Sequence, residues 1–139
     1  MYLGNLAQEL ENLNELYGQL RGQESNYEMR EGMLVVEDIT RAMQSALRPV
    51  MVKFNVRKLP AHQLMDLPTD LLGVLQMIYS QLAKVEILLI VFMPTAGALW
   101  DKEFIEVVDF STKQLNRQLA WAKQMLSVKA PQSLIVPKH

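Results

Sequence analysis

Large apolar side chains at positions 3, 6, 10, 13, 17 and 20 (Leu, Leu, Leu, Leu, Tyr, Leu) recur at alternating steps of three and four. That is the pitch of an α-helix, and it places all six on one narrow stripe. The chain is therefore expected to open with an amphipathic helix whose apolar edge needs cover. Glu9, Glu11 and Glu15 fall off the stripe, and Gly22 with Ser25 and Asn26 offers a stop. Such a seam can pack inside a bundle or meet another protein's helix; at about two and a half heptads it is shorter than the three or four that specify a coiled coil.

Three further segments repeat the pattern. Val36, Ile39, Met43, Ala46, Leu47 and Val50 trace a second helix with Glu37 and Asp38 near its start. Pro49 is expected to end or kink it near Arg48, because proline lacks the backbone donor and crowds the carbonyl four residues earlier. Beyond it, Val50, Val52, Phe54 and Val56 alternate with Met51, Lys53, Asn55 and Arg57 at the period of a strand. A small two-stranded sheet near 50–57, paired with MLVV (33–36) or SLIV (133–136), is the alternative to a wholly helical chain. Residues 59–69 hold two prolines and read as a connector, with Asp66 or Thr69 placed to cap a third helix from about residue 70 to 93. This helix is apolar nearly all round, with Gly73, Gln76, Ser80 and Lys84 as its only polar stripe, the pattern of a helix covered on most sides. Pro94 and Gly97 are expected to close it.

From Asp101 a fourth helix places Phe104, Val108, Ser111, Leu115, Leu119, Ala122 and Leu126 on one face, and Pro131 is expected to end it. Its acids (Asp101, Glu103, Glu106, Asp109) come early and its bases (Lys113, Arg117, Lys123, Lys129) late, the order that suits the helix dipole. The expected fold is all-α: an antiparallel four-helix bundle with a buried third helix, one domain over residues 1–130, and a C-terminal tail over 131–139.

Composition supports a packed core and limits the chemistry. Leu, Ile, Val and Phe supply 44 of 139 residues, which rules out wholesale disorder. The absence of Cys removes thiolate catalysis, Cys-ligated zinc and iron–sulfur clusters. Net charge is −1, and it alternates in blocks: −6 over residues 1–38, +5 over 39–65, −5 over 66–109 and +5 over 110–139. Opposite blocks on antiparallel neighbours attract, within the chain or between subunits. Arg41, Arg48, Lys53, Arg57 and Lys58, with Phe54 beside them, form the one acid-free basic run, but no nucleic-acid-binding motif accompanies it and nucleic acid is not expected as a partner. Uncharged runs at 71–83 and 87–100 are each too short to cross a bilayer, and Lys84 and Glu86 separate them, so a membrane surface is a possible contact and a membrane span is not expected. The start, MYLGNLAQELENL, carries acids where a secretory signal has bases, which makes the cytoplasm the expected location.

Candidate chemistry is sparse. His62, Asp66 and Asp70 lie four residues apart and could share a helical face as a metal or imidazole site, but Pro60 and Pro68 interrupt that helix and helix capping explains the acids. There is no Glu-x-x-His pair for a di-iron bundle, and no phosphate-binding glycine loop, zinc-protease or calcium-loop motif. Glu103 and Glu106 read as dipole partners in a first turn rather than as an acid–base pair. No cofactor, metal site or enzymatic activity is expected.

The stretch KQLNRQLAWAKQMLSVKAPQSLI (113–135) resembles the amphipathic helix and following Ala-Pro-Gln turn of phasins, proteins that coat storage granules, although the acidic residue and long helix that follow the turn in that family are missing here. The resemblance implies contact with an apolar surface. Nine methionines add adaptable apolar side chains, with Met29, Met33 and Met65 near helix ends. The expected function is a non-enzymatic helical interaction module, an adaptor, assembly chaperone or regulatory subunit. Its expected seam is Leu3, Leu6, Leu10, Leu13, Tyr17, Leu20, Met29 and Met33, meeting another protein or a second copy of the chain. The alternative is an amphipathic protein on a membrane or granule surface, through residues 71–100 or 104–126.

Overall fold

The computed structural model describes residues 3–23, 27–56 and 70–135, apart from the side chains of residues 23, 27–29 and 130–135. Four helices make up nearly all of it: α1 (Leu3–Gln23), α2 (Tyr27–Lys53), α3 (Leu71–Leu99) and α4 (Lys102–Ile135). No strand occurs among the described residues, and the chain is an all-α four-helix bundle.

Each helix packs on two neighbours. α1 lies against α2 and α3, and α4 against α3 and α2, so α1 faces α4, and α2 faces α3, across the diagonals. Side-chain pairs fix the directions. Arg21 meets Glu37 while Asn14 meets Gln44; Lys53 meets Asp101 while Thr40 meets Gln118; Gln81 meets Glu9 while Ile87 and Leu88 lie beside Asn5. Phe92 stacks on Phe104 while Glu86 shares a groove with Asn116. All four adjacent pairs are therefore antiparallel, and α2 and α3 run the same way. Val56 and Asp70, which the connector joins, lie at opposite ends of the bundle. The chain between them reaches at most about 50 Å, enough for the roughly 43 Å length of a helix of 29 residues.

The helix ends differ from expectation, for a common reason. Pro49, Pro94 and Pro131 all lie inside helices, so α2 runs on to Lys53, α3 to Leu99 and α4 to Ile135. Pro49 and Pro94 are on exposed turns, as are Ser45 and Ile90, whose carbonyls they leave without a donor, so water can take the missing bond. The Ala-Pro-Gln segment at 130–132 is likewise helical backbone. α2 stops instead at Asn55, whose φ of 53° lets the Val56 N–H bond Met51 O (2.8 Å) and the Asn55 N–H bond Val52 O (3.1 Å). This is a Schellman closure, with Val56 and Met51 both packed on the core. The expected alternation near 50–57 is resolved the same way: Val50 is buried, Met51 and Phe54 share its side, and Val52 points to solvent, so the segment is helix then turn, while Arg57 lies outside the described residues.

The centre of the bundle carries a polar pin in an apolar core. Tyr17 is wholly buried and donates to Gln118 Oε1 (2.6 Å), which also lies 2.9 Å from Thr40 Oγ1, while Gln118 Nε2 donates to Met43 Sδ (3.3 Å). Burial, and secondarily the Glu37 carboxylate, push the Tyr17 hydroxyl well above its usual range, so it stays a neutral donor. Trp121 meets Tyr17 edge to face at 6.0 Å and presses on Gly32, where a Cβ would come within 2.7 Å of the indole Nε1. Gly18, in α1, has open space around it. Gly18→Ala is expected to raise stability by about 0.5–1 kcal/mol through helix propensity. Gly32→Ala is expected to lower it by about 1–3 kcal/mol through overpacking. Urea denaturation of the two variants beside the parent checks both signs.

Candidate functional site: the outer face of the third helix

α3 is buried along one line of side chains, from Val74 and Leu75 to Phe92 and Ala96. Its opposite ridge changes character halfway. Gln76, Ser80 and Lys84 are polar and exposed; one and two turns further the same line continues as Ile87, Val91, Pro94 and Ala98, also exposed. Ile87 is 62% exposed, Ile90 65% and Trp100 90%, and Met93 and Leu99 are open too. This ridge is the side of α3 turned away from both α1 and α4, so it is exposed along its whole length and only its chemistry changes after Lys84. Asn5 and Glu9 sit beside Lys84, Ile87 and Leu88, so among the described residues the last turns of α3 run past Leu3 with α4 beside them.

Two hollows flank this ridge. Towards α4, Leu89, Ile90, Met93, Thr112, Leu115 and Asn116 line a mostly apolar groove of about 420 Å³. Pro94, which also borders this groove, has no N–H to give the Ile90 carbonyl, which loses its usual helical donor. Towards α1, Asn5, Glu9, Lys84, Ile87 and Leu88 line a shallow hollow of about 260 Å³.

At the far end, Trp100 turns the chain into α4 with φ 53° and ψ 27°, its N–H donating to Gly97 O at 3.1 Å. Glycine is the usual residue there; a large side chain in this conformation costs on the order of 1–2 kcal/mol. Asp101 then starts α4 by accepting from the Phe104 N–H (2.9 Å) and pairs with Lys53 Nζ of α2 (2.6 Å), with Glu103 4.0 Å from the same ammonium. The Lys53 bond, and after it the Phe104 N–H, holds the Asp101 carboxyl below the usual range, and Asp101 in turn raises Lys53.

The seam expected to meet a partner is spent elsewhere. Leu3, Leu6, Leu10, Leu13, Tyr17 and Leu20 are each at most 2% exposed, enclosed by α2, α3 and the centre of the bundle. Met33 is also fully buried, so these seven side chains are core and offer no surface, while the Met29 side chain lies outside the described residues. The bundle needed such a stripe to close, since burying one leucine is worth about 1.5–3 kcal/mol. Conversely, α3, expected to be covered on most sides, is covered on two. The sequence held a signal for this: its polar stripe ends at Lys84, whereas no charge occurs in the thirteen residues from Leu88 to Trp100.

The other candidates resolve as structure or lie out of view. Asp70 caps α3, accepting from the Gly73 N–H at 3.2 Å, while His62 and Asp66 are outside the described residues. Among the described residues no three His, Asp or Glu converge on a metal-sized site. Of the basic run, Arg41 pairs with Asp38, Lys53 with Asp101, and Phe54 packs on Phe104 at 5.6 Å; Arg57 and Lys58 are outside the described residues. Glu106 lies 4.0 Å from Lys102.

Compared with protein-family models, curated proteins and solved structures, the chain matches none of them. Its fold and surface define it as a four-helix bundle with an apolar face at one end.

The Asp101 clasp makes a pH test. A carboxyl whose value is lowered by folding stabilises fully above its unfolded value near 4 and loses that contribution as pH falls through the folded value. Asp101→Asn keeps an N-cap and removes the charge. In thermal melts, the stability difference between parent and variant is expected to shrink from pH 6 towards pH 2.

Proposed function

We propose that the protein is a non-enzymatic helical interaction module that docks another protein molecule through the outer face of the second half of α3. The observation that carries this reading is the uncharged ridge at 87–100, exposed at Ile87, Ile90, Val91, Met93, Leu99 and Trp100. Contiguous apolar surface of this kind marks contact sites in water-soluble proteins. Aliphatic residues beside a tryptophan are the composition of an interface centre rather than a rim. The role the sequence suggested for α1 therefore moves to α3.

A second reading, adsorption to a membrane or granule surface, has its own support. α3 is 29 residues long, and its most apolar 18-residue window has a mean hydropathy of 1.8, enough by length and composition to cross a membrane, with only 28% of that window buried. Against deep insertion stand Lys84 and Glu86, two charged residues within α3 itself.

Ile87→Glu with Val91→Glu places two charges on the ridge. Because both sites are exposed, stability is expected to change by no more than about 0.5 kcal/mol per site. In pull-downs from native extract, proteins retained by the parent are expected to be lost by this variant and kept by Leu34→Glu with Val35→Glu, an exposed pair on α2. Equal retention by all three proteins would remove the reading. Sedimentation with vesicles that depends on Ile87 and Val91, without any lost protein partner, would favour the surface reading instead.

A further inference from the structure

The groove on the α4 flank of the docking face combines an apolar floor with polar groups of one electrical character. Leu89, Met93 and Leu115 lie in its floor, and Glu86, Thr112 and Asn116 are its polar side chains. Glu86 is half-buried and has no ion pair among the described residues. Its neighbours three and four residues away, Leu82, Ala83, Leu89 and Ile90, offer no base. The acids of α4 differ: Glu106 lies 4.0 Å from Lys102 and Asp109 3.1 Å from Lys113, each one turn away. Thr112 spends its hydroxyl hydrogen on Val108 O at 2.8 Å, so its oxygen can only accept from a ligand. The Ile90 carbonyl, on the turn that Ile90 and Pro94 contribute to the groove, lacks its usual helical donor. Among the described residues no Lys, Arg or His lines the groove; Lys84 borders the other hollow, on the α1 side of the ridge.

We infer that the partner docked here is a cationic amphipathic helix of another protein, with apolar side chains in the groove beside Leu89, Met93 and Leu115 and a lysine or arginine reaching Glu86. This rests on the docking reading above and names its partner by chemistry. From Glu86 to Pro94 the groove follows α3 for roughly 12 Å at helical rise. Two turns of a docked helix cover that length and bring side chains at i, i+3 or i+4, and i+7 onto one side. The volume of about 420 Å³ falls within the range that ordinarily holds bound groups.

Charge selects a basic segment over a neutral or acidic one. A wholly apolar partner would strip water from the Glu86 carboxylate and return nothing for it, and an acidic segment would add repulsion. Lysine or arginine supplies the missing counter-charge, and its N–H groups bond a carboxylate more strongly than neutral donors do. The same donors, or a bridging water, serve the Thr112 oxygen and the Ile90 carbonyl once the groove is covered. The ion pair sits at the edge of an apolar contact, where it sets which partner is accepted more than how much surface is buried.

Two labelled synthetic peptides test this by fluorescence anisotropy at physiological salt. Each is a helix of about 14 residues, roughly 21 Å long, with leucine at i, i+3, i+4 and i+7; the remaining positions are lysine in one and glutamate in the other. The parent is expected to bind the lysine peptide about tenfold more tightly than the glutamate peptide. Glu86→Gln is expected to weaken the lysine peptide about fivefold, and Glu15→Gln, the same charge change at an exposed site on α1, to leave it unchanged. Glu86→Lys is expected to reverse the preference, a gain of binding that misfolding cannot produce. A parent that binds neither peptide or both equally, or a lysine peptide that does not distinguish Glu86→Gln from Glu15→Gln, overturns the inference. If it is overturned while proteins from native extract are still lost on charging Ile87 and Val91, the docking reading stands with a partner of other chemistry. If no such proteins are found either, both fall.

Discussion

Burial of the α1 leucine stripe is the interaction on which the rest of this structure depends. Leu3 to Leu20 fill the space between α2, α3 and the centre, and without them α2 and α3 would each keep only α4 as a neighbour. α3 in turn buries Leu89, Phe92 and Ala96 on the side that meets its neighbours and leaves Ile87, Ile90 and Val91 outward. The outward ridge is exposed along its whole length and is apolar only beyond Lys84, which puts an apolar surface at a single end.

Polar contacts select the arrangement rather than drive it. The Tyr17–Gln118–Thr40 cluster ties α1, α2 and α4 at one level, and a slip of any one helix by a turn would leave these groups buried without partners. Glu37, nearly fully buried, meets Arg21 at 2.7 Å and locks α1 to α2 in the same register. At the other end, Lys53 and Asp101 join the close of α2 to the start of α4, beside the Phe54, Phe92 and Phe104 cluster. The opposite signs of Lys53 and Asp101 belong to successive charge blocks, so at least this part of the block pattern is intramolecular pairing.

Helix number, helix faces and the all-α class were legible because spacing of three and four is a local property: the stripes from Val36 to Val50 and from Phe104 to Ala122 are buried as the pattern requires, apart from half-buried Ala46 and Leu119. Helix ends were less so. Proline was weighed as a stop, but a proline on the solvent side costs little when water can bond the freed carbonyl, as at Ser45 and Ile90. Asn55, the real stop of α2, acts through a left-handed backbone that many Asn residues do not adopt, so its identity alone was a weak signal. The exposed apolar face was missed for a different reason. Periodicity shows that a stripe will be buried, not by what, and α1 and α3 are told apart only once their packing in the assembled bundle is seen. Trp100 gave no periodic signal at all, since it lies between helices.

The central claim is that the α1 stripe is interior and the α3 ridge is surface. Since the chain has no native Cys, single cysteines at Leu13 and Ile87 report directly on this through their rate of reaction with a soluble thiol reagent in dilute protein. The account predicts that Ile87→Cys reacts at close to the rate of an unfolded control while Leu13→Cys is protected by several orders of magnitude. Comparable rates at the two positions, or a protected Ile87→Cys beside a reactive Leu13→Cys, would contradict it.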